Sequence, residues 1–353
     1  MTMAKDLKLP RAVRARAPLR IGFAGGGTDV SPYCDDFVGH VLNATIDKYA
    51  YAVIEPSPSG QIEFIAADRG ERWVGPATAS ISPTNCPLAL HRTVYNRIIA
   101  QHNDGDPIPL RLTTSSDAPA GSGLGSSSTL VVALVAVFRE LLSLPLGDYE
   151  LAHLAYEIER IDAGLAGGMQ DQYAASFGGF NFIEFYGGGR VIVNPLRVKR
   201  WIVNELEACS LLYFTGYSRD SAAIIEDQRE HTRRRDSVAL EALHAVKREA
   251  SVMKEAVLKG DFGLLARSLQ DGWKAKKLTS SRVSNSHIEA VLVAAEGSGA
   301  TAAKVSGAGG GGFMFLLVDP PRRTEVAQTL LKFGGLVTNC HFTEPGVQAW
   351  RIN

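Results

Sequence analysis

Residues 11–23 alternate basic or small side chains with apolar ones (Val13, Ala15, Ala17, Leu19, Ile21, Phe23), a period of two that predicts a strand. The stretch 40–55 is rich in β-branched and aromatic residues and predicts one or two more. After a turn at 56–60, QIEFIAAD and ERWV predict a meander. Residues 88–102 carry helical spacing, and 109–117 alternate again as a strand does. Residues 129–144 are apolar almost all round, the mark of a buried helix. Asp148 is placed to N-cap a helix over 149–161, which AGLAGG at 163–168 ends. FNFIEF and RVIVNPL, joined through 186–189, predict a hairpin.

The character of the chain changes near 195–205. WIVNELEACSLLYF predicts new strands, and a charged helical stretch follows at 219–258. Further helices are predicted over 262–278, 286–297 and 323–333, a strand–glycine loop–strand unit over 301–318, and a last strand in QAWRI. The pattern predicts an α+β chain of two domains, 1–200 and 201–353.

Composition narrows the class. The 353 residues carry 37 Lys+Arg and 37 Asp+Glu, so the formal net charge is zero, unlike the basic footprint of a nucleic-acid binder. The four cysteines (Cys34, Cys86, Cys209, Cys340) are far apart and form neither a disulfide scaffold nor a thiolate zinc site. No apolar run reaches the ~18 residues of a membrane span. The basic N-terminus has no apolar core of a signal peptide, so a cytoplasmic protein without nucleic-acid or membrane partners is expected. Glycine is in excess, 35 of 353 residues against an average of about 7%. Eleven of them fall in just three stretches, 25–27, 121–125 and 307–312.

The first of these in chemical content is PAGSGLGSSST at 119–129, with Pro119, Gly121, Ser122, Gly123, Leu124 and Gly125 between a strand and a helix. Glycines let backbone N–H groups converge on an anion, and a helix N-terminus favours phosphate. Ser126, Ser127 and Ser128 add hydroxyls for phosphate or Mg²⁺. The bland alternative is a glycine turn with a serine cap. No Gly-Lys pair occurs, so this is not a Walker A loop. The second stretch, KVSGAGGGGFMF at 304–315, holds a G-x-G-x-x-G across Gly307, Gly309 and Gly312. It runs into an apolar strand rather than a helix, and no acidic residue follows at the ribose-binding distance, which disfavours a dinucleotide-dependent dehydrogenase. Close backbone packing beside a ligand, involving Gly307, Gly309 and Gly310, fits better. In the third, FAGGGTD at 23–29, Asp29 could receive substrate hydroxyls or cap its own turn. Asp171, after a glycine break at the start of a predicted helix, could be a general base or a first-turn acid facing the helix dipole.

Taken together and in order, APLRIGFAGGGTD (17–29), PAGSGLGSSS (119–128) and KVSGAGGGG (304–312) resemble the GHMP small-molecule kinases, the superfamily of galactokinase, homoserine kinase, mevalonate kinase and phosphomevalonate kinase. The resemblance spans almost the whole chain. It implies an N-terminal domain like domain 2 of ribosomal protein S5, a ferredoxin-like C-terminal sandwich, and ATP meeting its acceptor in the cleft between them. It also implies roles. Ser127 resembles the serine that coordinates Mg²⁺, and Glu159 the glutamate that completes the metal site, with Glu157 as the alternative. Asp171 in MQDQY resembles the catalytic aspartate, and Arg20 in APLR the basic residue that holds it. Gly26, Gly27, Thr28 and Asp29 fall where the family binds its acceptor.

Galactokinases carry Glu-His where this chain has Gly26-Gly27, which argues against galactose. GGGTDVSPY and VLNATIDKYAY are most similar to the bacterial heptose 7-phosphate kinases within the superfamily. This implies phosphorylation of the anomeric C1 hydroxyl of a heptose 7-phosphate, with ATP and Mg²⁺, on the way to nucleotide-activated heptose and surface polysaccharide. The second phosphate asks for further cations, with Arg219 and Lys277 as candidates beside Lys274, Lys276 and Arg282. Two alternatives stay open: a C1 kinase for an unphosphorylated sugar such as L-fucose, and a non-catalytic sugar-binding protein on the same fold. A homodimer is compatible with either.

Overall fold

The structure, a computed structural model, describes residues 10–217 and 221–353. Two long strands, β1 (Ala12–Ala24) and β2 (Gly39–Pro56), enclose a short helix, α1 (Tyr33–Phe37). The hairpin β3 (Gln61–Ala66) and β4 (Glu71–Pro76) follows, then α2 (Ala89–His102), β5 (Leu110–Ser116) and α3 (Ser126–Leu142). Helix α4 (Asp148–Tyr156) runs into a wider π-type turn, Glu157–Asp162. Helix α5 (Gln170–Phe177) leads to the predicted hairpin, β6 (Phe180–Phe185) and β7 (Val191–Pro195). The second half contains α6 (Arg200–Cys209), β8 (Ser210–Phe214), α7 (Ser221–Arg233), α8 (Ser237–Lys259), α9 (Phe262–Leu278), α10 (Ser286–Gly297), β9 (Ala300–Val305), β10 (Phe313–Val318), α11 (Arg323–Leu331), β11 (Leu336–Asn339) and β12 (Gln348–Ile352).

The first sheet has the order β12-β1-β2-β5-β3-β4. The first half of β2 turns instead to β6, which carries β7 at its edge. The final strand returns to this sheet, with Val13 opposite Arg351. The second sheet, β11-β8-β10-β9, is antiparallel throughout. Counting its strands along the chain, that is the 4-1-3-2 order of a ferredoxin-like sandwich. Helix α3 is buried all round from Val131 to Phe138, as its unbroken apolar run requires. A shared core joins the layers: Leu19, Ile21 and Phe23 of β1 pack with Met253 of α8 and Phe315 of β10. No described helix is long and apolar enough to cross a membrane.

Three elements depart from the sequence pattern. Residues 200–209 form a helix where strands are predicted, because Ile202, Val203 and Leu206 share one buried helical face while Trp201 stays exposed. The charged stretch beginning at 219 is two helices, not one. Arg235 takes a left-handed φ of 52°, and Asp236 caps α8 by accepting from the Ala239 N–H at 2.9 Å. Asp148 lies inside the first turn of α4, and Gly147 takes the cap position.

Candidate active site

The three glycine stretches meet around a cavity of about 300 Å³. One wall is the 121–128 loop with the N-terminus of α3. Gly121, Gly123 and Gly125 with Ser126, Ser127 and Ser128 line it. The helix has Gly125 at its cap position and no side chain bonded there, so its first N–H groups lie open to an anion. Pro119, Ser122 and Leu124 do not reach the cavity. Ser122 is buried and its hydroxyl bonds that of Ser126 at 2.9 Å, while Leu124 packs into the shared core. These residues shape the loop from behind the cavity wall.

The late loop supports the early one. Phe313 N–H donates to Ser122 O at 2.7 Å, and the Ser306 hydroxyl to Gly123 O at 2.8 Å. A Cβ on Gly123, whose φ is +82°, would sit 2.5 Å from the Ser306 carbonyl oxygen. Gly307 and Gly309 line the cavity. Gly310 does not: its N–H donates to Val283 O, and it faces a neighbouring hollow beside Tyr217 and Asn285. Arg219 lies outside the described residues.

Asp171 stands between the walls. From β1, Arg20 grips its Oδ1 with Nε at 2.7 Å and Nη2 at 2.5 Å, and gives Nη1 to Gly123 O at 2.7 Å. The guanidinium is buried and the carboxylate is 18% exposed. Asp171 Oδ2 has no hydrogen-bond donor among the described residues. Beside it, the Ser127 hydroxyl donates to Glu159 Oε1 at 2.9 Å. Gln172 Nε2 donates to Glu159 Oε2 at 2.7 Å, and Arg160 pairs with the same carboxylate at 3.2 Å. The wider π-type turn aims Glu159 inward. Glu157 points instead to Arg97 and His153, away from Ser127.

The opposite wall is the 25–29 turn. Asp29 is buried and accepts from the N–H of Gly27 (3.0 Å), the N–H of Gln170 (3.1 Å) and Gln170 Nε2 (3.0 Å). It therefore caps its own turn while lining the cavity. Thr28 does not line it: its hydroxyl donates to the carbonyls of Gly25 and His40 and accepts from the His40 N–H. Gly26 presents its carbonyl to Lys276 Nζ at 2.7 Å. Lys277 faces away, bonded to both Glu289 oxygens at 3.1 Å. Lys276, one residue earlier, lines the cavity. Burial pulls its pKa down to about 8 against the field of Asp29. Lys304 donates to Gly22 O and Phe23 O; burial lowers it to about 7, helped by Lys276 and Arg20.

Gln170 and Gln172 carry no signal that the sequence pattern singled out, whereas Lys276 stood among the cationic candidates behind Lys277. The two glutamines flank Asp171. Lys276 falls on the buried stripe Leu265, Leu269, Trp273 of α9, a periodicity that could have selected it over Lys277.

Comparison with known proteins places the chain in a family. The profile described as GHMP kinases N terminal domain matches residues 89–179, and that described as GHMP kinases C terminal matches 253–335. The D-glycero-alpha-D-manno-heptose 7-phosphate kinase of Campylobacter jejuni is 46% identical over 97% of this chain and 100% of its own length. The chain belongs to the GHMP kinases. A solved structure named as a D-glycero-D-manno-heptose 1-phosphate kinase from Bacteroides thetaiotaomicron matches this GHMP kinase with a TM-score of 0.82 and 45% identity, over 97% of this chain and 99% of that one. The bifunctional fucokinase/GDP-fucose pyrophosphorylase of Arabidopsis thaliana is 26% identical over 91% of this chain but 31% of its own length. The fold is the two-domain GHMP kinase fold, and the protein is a sugar kinase that takes ATP as phosphoryl donor.

Proposed function

We propose that this kinase transfers the γ-phosphoryl group of ATP to the anomeric C1 hydroxyl of D-glycero-D-manno-heptose 7-phosphate, giving the 1,7-bisphosphate and ADP. The single observation that carries the chemistry is the asymmetry of Asp171: Oδ1 is clamped by Arg20, and Oδ2 is left to accept a hydroxyl. The heptose acceptor is supported by the names of two relatives at about 45% identity.

The C1 oxygen attacks the γ-phosphorus as the bond to the β-phosphate oxygen breaks, and the hydroxyl proton passes to Asp171 Oδ2. Arg20 fixes the carboxylate and places positive charge beside the transferring group. The open N–H groups of α3 and the 121–128 backbone hold the triphosphate. Ser127 and Glu159 offer two hard oxygen donors 2.9 Å apart, which suits Mg²⁺, an ion that takes its remaining ligands from phosphates and water. That ion would neutralise charge on the phosphates. Gln172 orients Glu159 by holding its second oxygen. An ATP donor fits a reaction in the cytoplasm, and the new C1 phosphate of the bisphosphate is the one that nucleotide activation of a heptose for surface polysaccharide would use.

Coupled ADP release with a panel of sugars tests the reading. Heptose 7-phosphate should exceed free heptose, L-fucose and galactose in kcat/KM by at least about tenfold, one unit of 1.4 kcal/mol. A free sugar turned over best would replace it with the unphosphorylated-sugar kinase; no turnover with any sugar would leave a binding protein.

A further inference from the structure

Two ammonium groups lie under the 25–27 turn, and no step above uses them. Lys304 donates to the carbonyls of Gly22 and Phe23 and does not line the main cavity. Lys276 does reach it, although the residue is only 7% exposed. Among the described residues its Nζ has one bonded partner, the Gly26 carbonyl at 2.7 Å. Among the described residues, no carboxylate oxygen lies within ion-pair distance of it. Asp29 acts on it through space, but both Asp29 oxygens are taken by N–H groups of Gly27 and Gln170. An ammonium carries three donors, so most of this one is unspent. A buried charge in that state is costly until an anion completes it.

Its position indicates which anion. A Cβ on Gly27 would lie 2.7 Å from Lys276 Nζ, so the ammonium fills the space that a side chain at 27 would need. Gly27 belongs to the wall opposite the triphosphate loop. Asp171 separates the two: Gly125 of the phosphate loop approaches its carboxylate, while its neighbour Gln170 holds Asp29 of the far wall. Of the other described basic side chains near the cavity, Arg229 gives one Nη to Gly167 O at 3.5 Å and the other to Glu226 at 3.5 Å, with its buried Nε unpartnered. Arg160 spreads over Gly168 O, Ala166 O, the Ser128 hydroxyl and Glu159, and Lys277 is held by Glu289.

We propose that Lys276 is the specificity residue that reads a phosphate already carried by the acceptor sugar, and that glycine at position 27 gives the ammonium its place. The substrate class is a monophosphorylated sugar whose phosphate lies at the end remote from the reacting hydroxyl. This rests on the acceptor reading above and names the group that enforces it.

Calorimetric titration separates the two. The probes are D-glycero-D-manno-heptose 7-phosphate, the same heptose without phosphate, and ATP, each titrated into the wild type, Lys276→Met and Lys276→Gln. The wild type should prefer the phosphorylated heptose, and both variants should lose about 30-fold or more of that preference, the scale for truncating one member of a buried charge pair. ATP affinity should stay within about threefold, which reports that the variants are folded. Glutamine retains a donor for the Gly26 carbonyl, so a loss shared by both variants reports charge, and it decides the matter if the methionine variant does not fold. A preference retained in either folded variant overturns the proposal, as does an equal loss for both sugars and ATP. ADP release by the wild type reads the parent function separately. Turnover of heptose 7-phosphate with an unchanged preference in the variants sinks Lys276 alone. A Lys276-dependent preference without phosphoryl transfer sinks the function alone.

Discussion

The two walls of the cavity are both glycine-rich, and their glycines do different work. In the 121–128 loop the missing Cβ atoms allow backbone to touch backbone: Gly123 approaches Ser306 O, Gly312 approaches Ser122 O, and the loop is left with outward N–H groups. In the 25–29 turn the missing Cβ at Gly27 admits the end of a side chain, Lys276. On the proposed function, one wall would bind phosphate with main chain and helix dipole, so almost any nucleoside triphosphate tail would suit it. The other would meet the acceptor through side chains delivered by α5 and α9, so its specificity could change without rebuilding the loop. Similar composition would then serve a general task in one place and a selective one in the other.

If the walls bind independently and Asp171 acts between them, the largest effect should come from Asp171→Asn. Turnover should fall at least about 100-fold while ATP and sugar affinities stay within about threefold. Near-normal turnover in stopped assays would remove the base role. Next is Glu159→Gln, which should raise the Mg²⁺ concentration for half-maximal rate about tenfold or more, with sugar affinity unchanged. An unchanged Mg²⁺ requirement would move the metal elsewhere.

A smaller effect contrasts the walls directly. Gly123→Ala combines a positive φ with a 2.5 Å overlap on backbone and should cost about 2 kcal/mol or more. Gly26→Ala meets only Gln170 Nε2 at 3.7 Å and should stay within about 0.5 kcal/mol. Thermal melts check both; equal losses would erase the distinction between the walls. The smallest effect is on pH dependence. Lys276 titrates near 8 when folded and near the ordinary lysine value when unfolded. Between these values the unfolded chain binds the extra proton, so Lys276 should add stability as pH rises above about 8, by at most about 1.4 kcal/mol per unit, beside a like rise from Lys304, which burial lowers to about 7. Lys276→Met should flatten that rise in denaturant titrations, and an unaltered slope would place the titration elsewhere.

Much of this was legible in the chain. The period-two runs of β1 and β5, the apolar run of α3 and the three glycine stretches were local signals. Helix α6 was not, because its ten residues mix apolar and polar positions with two β-branched side chains and fit a strand until its neighbours select one face. Ser127 and Glu159 are 32 positions apart, and only a folded π-type turn brings them to 2.9 Å. Lys276 was obscured by the charges around it, since composition alone does not tell a solvated lysine from a buried one.

The central claim is phosphoryl transfer to C1 of an already phosphorylated heptose by Asp171. Phosphorus NMR of the product formed from heptose 7-phosphate and ATP tests it most directly. The account predicts a new resonance coupled to the anomeric proton, the 7-phosphate signal retained, and one ADP per product, all absent on the same timescale with Asp171→Asn. A phosphate attached at any other carbon, or inorganic phosphate released without sugar product, would contradict it.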